Sequence, residues 1–159
     1  MQQATLGFLI KRDGREKICK ILLAMKKRGF GKDRWNGTGG KPKTDETLRQ
    51  CIVRETQEEI GITLIKPKKI GLVNFRFKFT PEFNQNVHFY LCESWQGKLI
   101  ESEEMKPRWF SIENIPYAKM WPDDKFWMPL ALKDKKIIGR VLFGKDDEII
   151  KNSIRAGSE

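Results

Sequence analysis

The chain has 159 residues, of which 39% are hydrophobic, and carries a formal net charge of +10 with an isoelectric point near 9.6. That length and apolar content suit one folded domain with a sizeable core, and no stretch is repetitive or of low complexity. The positive balance suits a polyanionic partner (a nucleotide, a nucleic acid or an acidic surface) without choosing among them.

Taken in order, Ala4–Lys11 reads as a strand, Arg12–Lys17 as a charged turn around Asp13-Gly14, and Ile18–Lys26 as a second strand. Gly29–Gly40 is a glycine-rich loop, and residues 45–60 are predicted as one helix. Leu48, Cys51 and Ile52 recur there at helical spacing, Thr44 or Asp45 can cap the start, and Gly61 supplies the left-handed stop. Gly71–Phe79 alternates, with Val73, Phe75, Phe77 and Phe79 on one face and Asn74, Arg76 and Lys78 on the other. Pro81–Asn86 is a polar turn, Val87–Trp95 a strand, Gln96–Lys98 a turn and Pro107–Ile112 a short strand. Asp123–Lys133 reads as a second helix and Ile137–Phe143 as a closing strand, while the last residues, KNSIRAGSE, are expected to fray or pack loosely. Mixed strands with two helices in so short a chain imply an α+β or α/β sandwich.

Cys19, Cys51 and Cys92 are odd in number and widely spaced in apolar or periodic segments, so buried free thiols in a reducing compartment are expected. The absence of CxxC and the single histidine, His88, speak against zinc. The opening MQQATLGFLIKRDG is too short an apolar run for a signal peptide or a membrane span, so a soluble, cytoplasmic protein is expected.

The chemistry concentrates in Gly40–Ile62. Helical spacing puts Glu55, Glu58 and Glu59 on one face, a costly arrangement unless arginine or a hard divalent cation neutralises it. A Walker A loop is excluded, because its first glycine would fall on Trp35 and Pro42 replaces its Ser/Thr. A cation held by the helix would screen the oxygens of a nucleoside triphosphate, polarise a phosphoryl group and lower the pKa of water. A nearby carboxylate could then take the proton, so hydrolysis of a phosphoanhydride is the expected reaction.

The whole string, GKPKTDETLRQCIVRETQEEIGI, fits G-x5-E-x7-R-E-U-x-E-E-x-G-U with U aliphatic, and so resembles the signature of the Nudix hydrolases. Its single departure is Thr56, which puts a hydroxyl on a packed face where an aliphatic residue is usual, at an expected small packing cost. The resemblance implies a Nudix-type α/β/α sandwich with a mixed central sheet, formed by residues 1–159 as a single domain. It also implies Mg²⁺ as cofactor, with Mn²⁺ able to substitute. Catalysis and metal binding would fall on Glu55, Glu58 and Glu59, with Glu58 or Glu59 as base, Arg54 orienting a box glutamate by a salt bridge, and Glu46 in support.

Two further stretches, KKRGFGKDRWNGTGGK (Lys26–Lys41) and ESEEMKPRWFSIENIPYAKMWPDDKFWMP (Glu101–Pro129), resemble the branch of that family that hydrolyses oxidised purine nucleoside triphosphates, 8-oxo-dGTP and 2-hydroxy-dATP, to monophosphate and pyrophosphate. By that resemblance Asn36 and the Trp121, Pro122, Asp123, Asp124 segment read the base, Phe30 and Phe75 line its pocket, and Thr5 and Lys26 touch substrate. Thr38, Gly39, Gly40 and Lys41 run along the substrate, Gly39 offers a backbone contact to the metal, and Glu104 adds an acidic one. The expected partner is a small nucleoside triphosphate substrate, with no membrane and no nucleic acid, and the protein is expected to be a monomer. Trp121–Asp124 is also a good helix start, with proline first and acids in the first turn. A helix dipole would lower both aspartate pKa values, whereas burial of the pair would raise one of them so that the two share a proton. Competing readings are a Nudix hydrolase of ADP-ribose, dinucleoside polyphosphates or capped RNA, and an inactive nucleotide- or nucleic-acid-binding module.

Overall fold

The computed structural model describes residues 1–159. Its strands are β1 (Gln2–Arg12), β2 (Ile18–Lys26), β3 (Trp35–Asn36), β4 (Ile62–Ile65), β5 (Lys68–Phe77), β6 (Gln85–Cys92), β7 (Ser94–Gly97), β8 (Met105–Ser111), β9 (Ile137–Phe143), β10 (Ile149–Asn152) and β11 (Arg155–Ala156). The helices are α1 (Leu48–Ile60) and α2 (Asp124–Ala131).

β1 organises the sheet. It runs parallel to β6 from Gln2 to Leu9 and antiparallel to β2 from Ile10 onward. Outward from β6 come β5, then β9, which is parallel to β5, then β10 and β11; β2 carries β3 and β8. Both faces of β1 are buried, so its sequence is a nearly continuous apolar run rather than an alternating one. Leu9, Leu22 and Tyr90 pack on one side with Ile52 and Ile60 of α1 and with Ile62 and Leu64 of β4. On the other side Phe8, Leu23, Phe89 and Val141 pack with Trp127, Met128 and Ala131 of α2. The result is the α/β/α sandwich with a mixed sheet that the sequence implies.

Several boundaries differ from expectation. The first helix starts at Leu48, not at residue 45, because Thr47 and Gln50 form a reciprocal capping box: Gln50 N donates to Thr47 Oγ1 at 3.1 Å and Thr47 N to Gln50 Oε1 at 2.9 Å. Asp45 sits instead in a left-handed turn, φ 65°. Replacing Thr47 by alanine should cost about 1 kcal/mol, read as a lower urea midpoint at unchanged slope, while Thr44→Ala should leave the midpoint in place. Gly61 ends the helix as expected, at φ 75° with its N–H on Gln57 O. β5 stops at Phe77, and Phe79 lies exposed rather than on the core face. The expected strand Val87–Trp95 divides, and its second part pairs with β4 in a separate two-stranded sheet over α1. The last residues do not fray, since β10 and β11 both return antiparallel onto β9. Their side chains point largely outward, so little hydrophobic pattern advertises them. All three cysteines are free; Cys51 and Cys92 are buried and Cys19 is half-buried. No helix is long and apolar enough to cross a membrane.

Candidate active site

The glycine segment is held between β1 and α1. Gly7 and Thr38 exchange backbone bonds of 2.7 and 3.0 Å, and Thr5 N donates to Gly40 O at 2.8 Å. Only glycine fits at 39, where a Cβ (φ 153°) would stand 1.9 Å from Thr5 O, and a Cβ on Gly40 would displace the Glu55 carboxyl, 2.6 Å away. Gly39 N then donates to Glu59 Oε1 at 2.9 Å, joining the segment to the glutamate helix.

The three box glutamates share a helix but not an environment. Glu59 is buried, and burial pushes its carboxyl up to about 8; the charges of Glu55 and Glu104 add to the rise, and the Gly39 N–H opposes it. Burial also raises Glu55. Glu58 is largely exposed. Arg54 binds Glu46 through two nitrogens at 2.7 and 2.9 Å, Glu55 at 2.8 Å and Glu58 at 3.2 Å. Its hydrogen bond draws Glu46 down to about 2. Glu104 lies in the loop before β8, with its carboxylate 3.5 Å from Arg28.

As placed, no three acidic, histidine or cysteine side chains converge tightly enough to hold an ion. Arg54 takes two of the carboxylates, and the third is buried with a raised pKa. The groups expected from the sequence to hold a metal, Glu55, Glu58, Glu59, Glu104 and the Gly39 carbonyl, would all offer oxygen. That set fits a hard cation such as Mg²⁺ or Mn²⁺, whose charge would favour ionised Glu59.

Beside this cluster opens a cavity of about 360 Å³. Thr5, Lys26, Asn36, Gly39, Gly40 and Lys41 line it together with Phe30, Phe75, Trp121, Asp123 and Asp124. Thr38 and Pro122 do not line it, and the Thr38 hydroxyl turns into the helix, 2.7 Å from that of Thr56. Phe77, Phe83 and Phe143, absent from the sequence reading of the pocket, complete an aromatic wall. Phe83 stacks on Phe30 at 4.4 Å and Phe77 on Phe143 at 5.0 Å. The alternation of β5 could have found Phe77; Phe143 reaches it only because β5 and β9 are parallel neighbours. Phe83 lies in a polar turn that gives no signal. Trp121 is backed by the Arg34 guanidinium, 4.1 Å from its ring centroid and bridged to Asp147 at 3.1 Å. Trp95 and Trp109 pack on the opposite, α1 side of the sheet.

The two aspartates are each only 3% exposed. Asp123 precedes α2 but makes no side-chain cap. Trp127 Nε1 donates to Asp124 Oδ1 at 2.9 Å, and Asp124 Oδ2 is buried without a donor. Burial pushes Asp123 up to about 7, and burial with the neighbouring charge lifts Asp124 well above the usual range. Desolvation outweighs the helix dipole here, so both carboxyls stand above the ordinary carboxylate range.

A mixed sheet between two helices, with a glycine segment laid against an arginine-braced glutamate helix, defines a phosphoanhydride hydrolase of the Nudix type. The chain belongs to the NUDIX family, whose domain matches residues 1–131. It is 43% identical over 86% of each chain to the oxidized purine nucleoside triphosphate hydrolase of Mus musculus, and 42% identical to that of Danio rerio over 85% of this chain and 86% of the relative. Among solved structures, a MutT protein from Bacillus halodurans superposes with a TM-score of 0.82 at 22% identity over 97% of each chain.

Proposed function

We propose that this protein hydrolyses oxidised purine nucleoside triphosphates to the monophosphate and pyrophosphate, working as a single-domain monomer on the free nucleotide pool. The observation that carries the reading is the buried aspartate pair at an aromatic pocket beside the glutamate helix. A protonated carboxyl beside an ionised one offers a donor and an acceptor together. Oxidised guanine presents a carbonyl acceptor beside an N–H donor; oxidised adenine presents an amino donor. A pair that moves one proton between its members meets both, and the identity to hydrolases named for oxidised purines points the same way.

In this reading Trp121 and the phenylalanines hold the purine plane, Asn36 fixes its edge, and Lys26 and Lys41 meet phosphate. Mg²⁺, held by Glu55, Glu58, Glu59, Glu104 and the Gly39 carbonyl, would supply charge neutralisation and activation of water. Glu58 or Glu59 accepts the water proton, and Arg54 orients the box glutamates through its ion pairs with Glu55 and Glu58.

A pyrophosphate-release screen with Mg²⁺ tests this across oxidised and unmodified triphosphates, ADP-ribose, dinucleoside polyphosphates and capped RNA. Preferential turnover of 8-oxo-dGTP and 2-hydroxy-dATP is expected. Equal turnover of dGTP and 8-oxo-dGTP, or release of inorganic phosphate as the first product, would refute it.

A further inference from the structure

Thr56 breaks the family signature at a position where an aliphatic side chain is usual, and the structure gives its hydroxyl a buried partner. Its hydroxyl lies 2.7 Å from that of Thr38, and both residues are buried, at 0% and 3% exposure. Neither hydroxyl makes any other hydrogen bond. Each is therefore the other's only partner, and an aliphatic residue at 56 would leave the Thr38 hydroxyl buried and unmet. The pair sits at the joint of the site. Thr38 precedes Gly39, whose N–H holds Glu59, and Thr56 follows Glu55, whose carboxyl packs against Gly40.

We propose that the Thr38–Thr56 hydroxyl pair is a positioning latch, fixing how closely the glycine segment rides on the glutamate helix and so placing the Gly39 backbone against Glu59. Two oxygens meet at 2.7 Å, whereas carbon atoms meet at about 3.5–4.0 Å. Methyl groups in place of both hydroxyls would hold the segment about 1 Å farther out, a displacement that costs catalysis more than it costs stability. The latch rests on the reading of α1 and the glycine segment as the metal-binding and catalytic elements.

The test compares wild type with the Thr38→Val, Thr56→Val double variant and with Thr56→Ser, which keeps the hydroxyl. The double variant removes both polar partners together, so its denaturant midpoint should match wild type. Its kcat should fall about tenfold or more at little-changed KM. Mn²⁺ binding by titration calorimetry should weaken, and the Gly39 amide should exchange faster. Thr56→Ser should keep wild-type Mn²⁺ binding and Gly39 protection. Should the double variant fail to fold, Thr56→Ala against Thr56→Ser gives the same contrast, with alanine impaired and serine not. Wild-type kcat, Mn²⁺ binding and Gly39 protection in the double variant, or equal behaviour of Ala and Ser, would reduce the pair to packing. The exchange and Mn²⁺ measurements need no substrate, so an error in the proposed substrate class would show in the nucleotide screen and leave these readouts standing.

Discussion

Glu59→Gln should lower kcat by about 10²–10⁴, the usual worth of a positioned proton acceptor, while leaving the metal-free fold intact or firmer. Glutamine keeps an oxygen for the Gly39 N–H, so the 2.9 Å bond that seats the glycine segment survives. The stability direction follows from burial. Glu59 is raised to about 8 in the fold, against about 4.3 when unfolded. Between those values the folded state holds the extra proton, so stability falls as pH rises through that window. Glutamine has no charge to desolvate, so the variant should gain on wild type by a few kcal/mol near pH 8 and hardly at all near pH 4. Glu58 is largely exposed, so Glu58→Gln should also depress kcat but shift stability by no more than about 0.5 kcal/mol. Steady-state pyrophosphate release, paired with urea melts in chelator at both pH values, separates the two effects. A Glu58, Glu59 double variant with full activity, or a stability loss that tracks the activity loss, would contradict these assignments.

Asp123→Asn and Asp124→Asn should each change the preference between 8-oxo-dGTP and 2-hydroxy-dATP, because each fixes as neutral a group that otherwise carries or lends the shared proton. A pocket built on buried hydrogen bonds discriminates strongly, so kcat/KM for the disfavoured substrate should fall by about 10² or more. The pH signature follows the same rule as for Glu59. Asp123 is raised to about 7 and Asp124 stands well above the ordinary range, so the fold holds protons that the unfolded chain has lost by about pH 4. Stability of the free protein should therefore decline as pH rises from about 4 to about 7, and either asparagine should flatten that decline. Asparagine at 124 can still accept from Trp127 Nε1, so the indole contact is not the variable. Kinetics on both substrates from about pH 6 to 9 span the ionisation. Wild-type preference and pH profile in both variants would leave the pair as nothing more than the start of α2.

What the sequence determined by itself was local. The 3.6-residue period of Leu48, Cys51 and Ile52 and the stop at Gly61 were legible because they depend on neighbours within a turn or two. The alternation of Val73, Phe75 and Phe77 was legible for the same reason, and the shared face of Glu55, Glu58 and Glu59 followed from helical spacing, while the role of Arg54 came from the resemblance. The cap at Thr47 was misplaced because Thr44, Asp45 and Thr47 are all competent caps, and only the reciprocal bond to Gln50 chooses between them.

What only the tertiary structure decided depends on pairing and desolvation across long stretches of chain. β5 and β9 meet in parallel, bringing Phe77 to Phe143, and β10 and β11 return antiparallel onto the edge that β9 leaves open. Asp123 and Asp124 have the composition of a helix start, and their role turns on burial beside the Trp121 pocket, which no local pattern encodes. Thr56 shows the same division. As a letter in the signature it is a defect, and it becomes half of a hydrogen-bonded pair only when the fold brings Thr38 to 2.7 Å, because the energy of a buried hydroxyl is set by its partner and not by its own residue type.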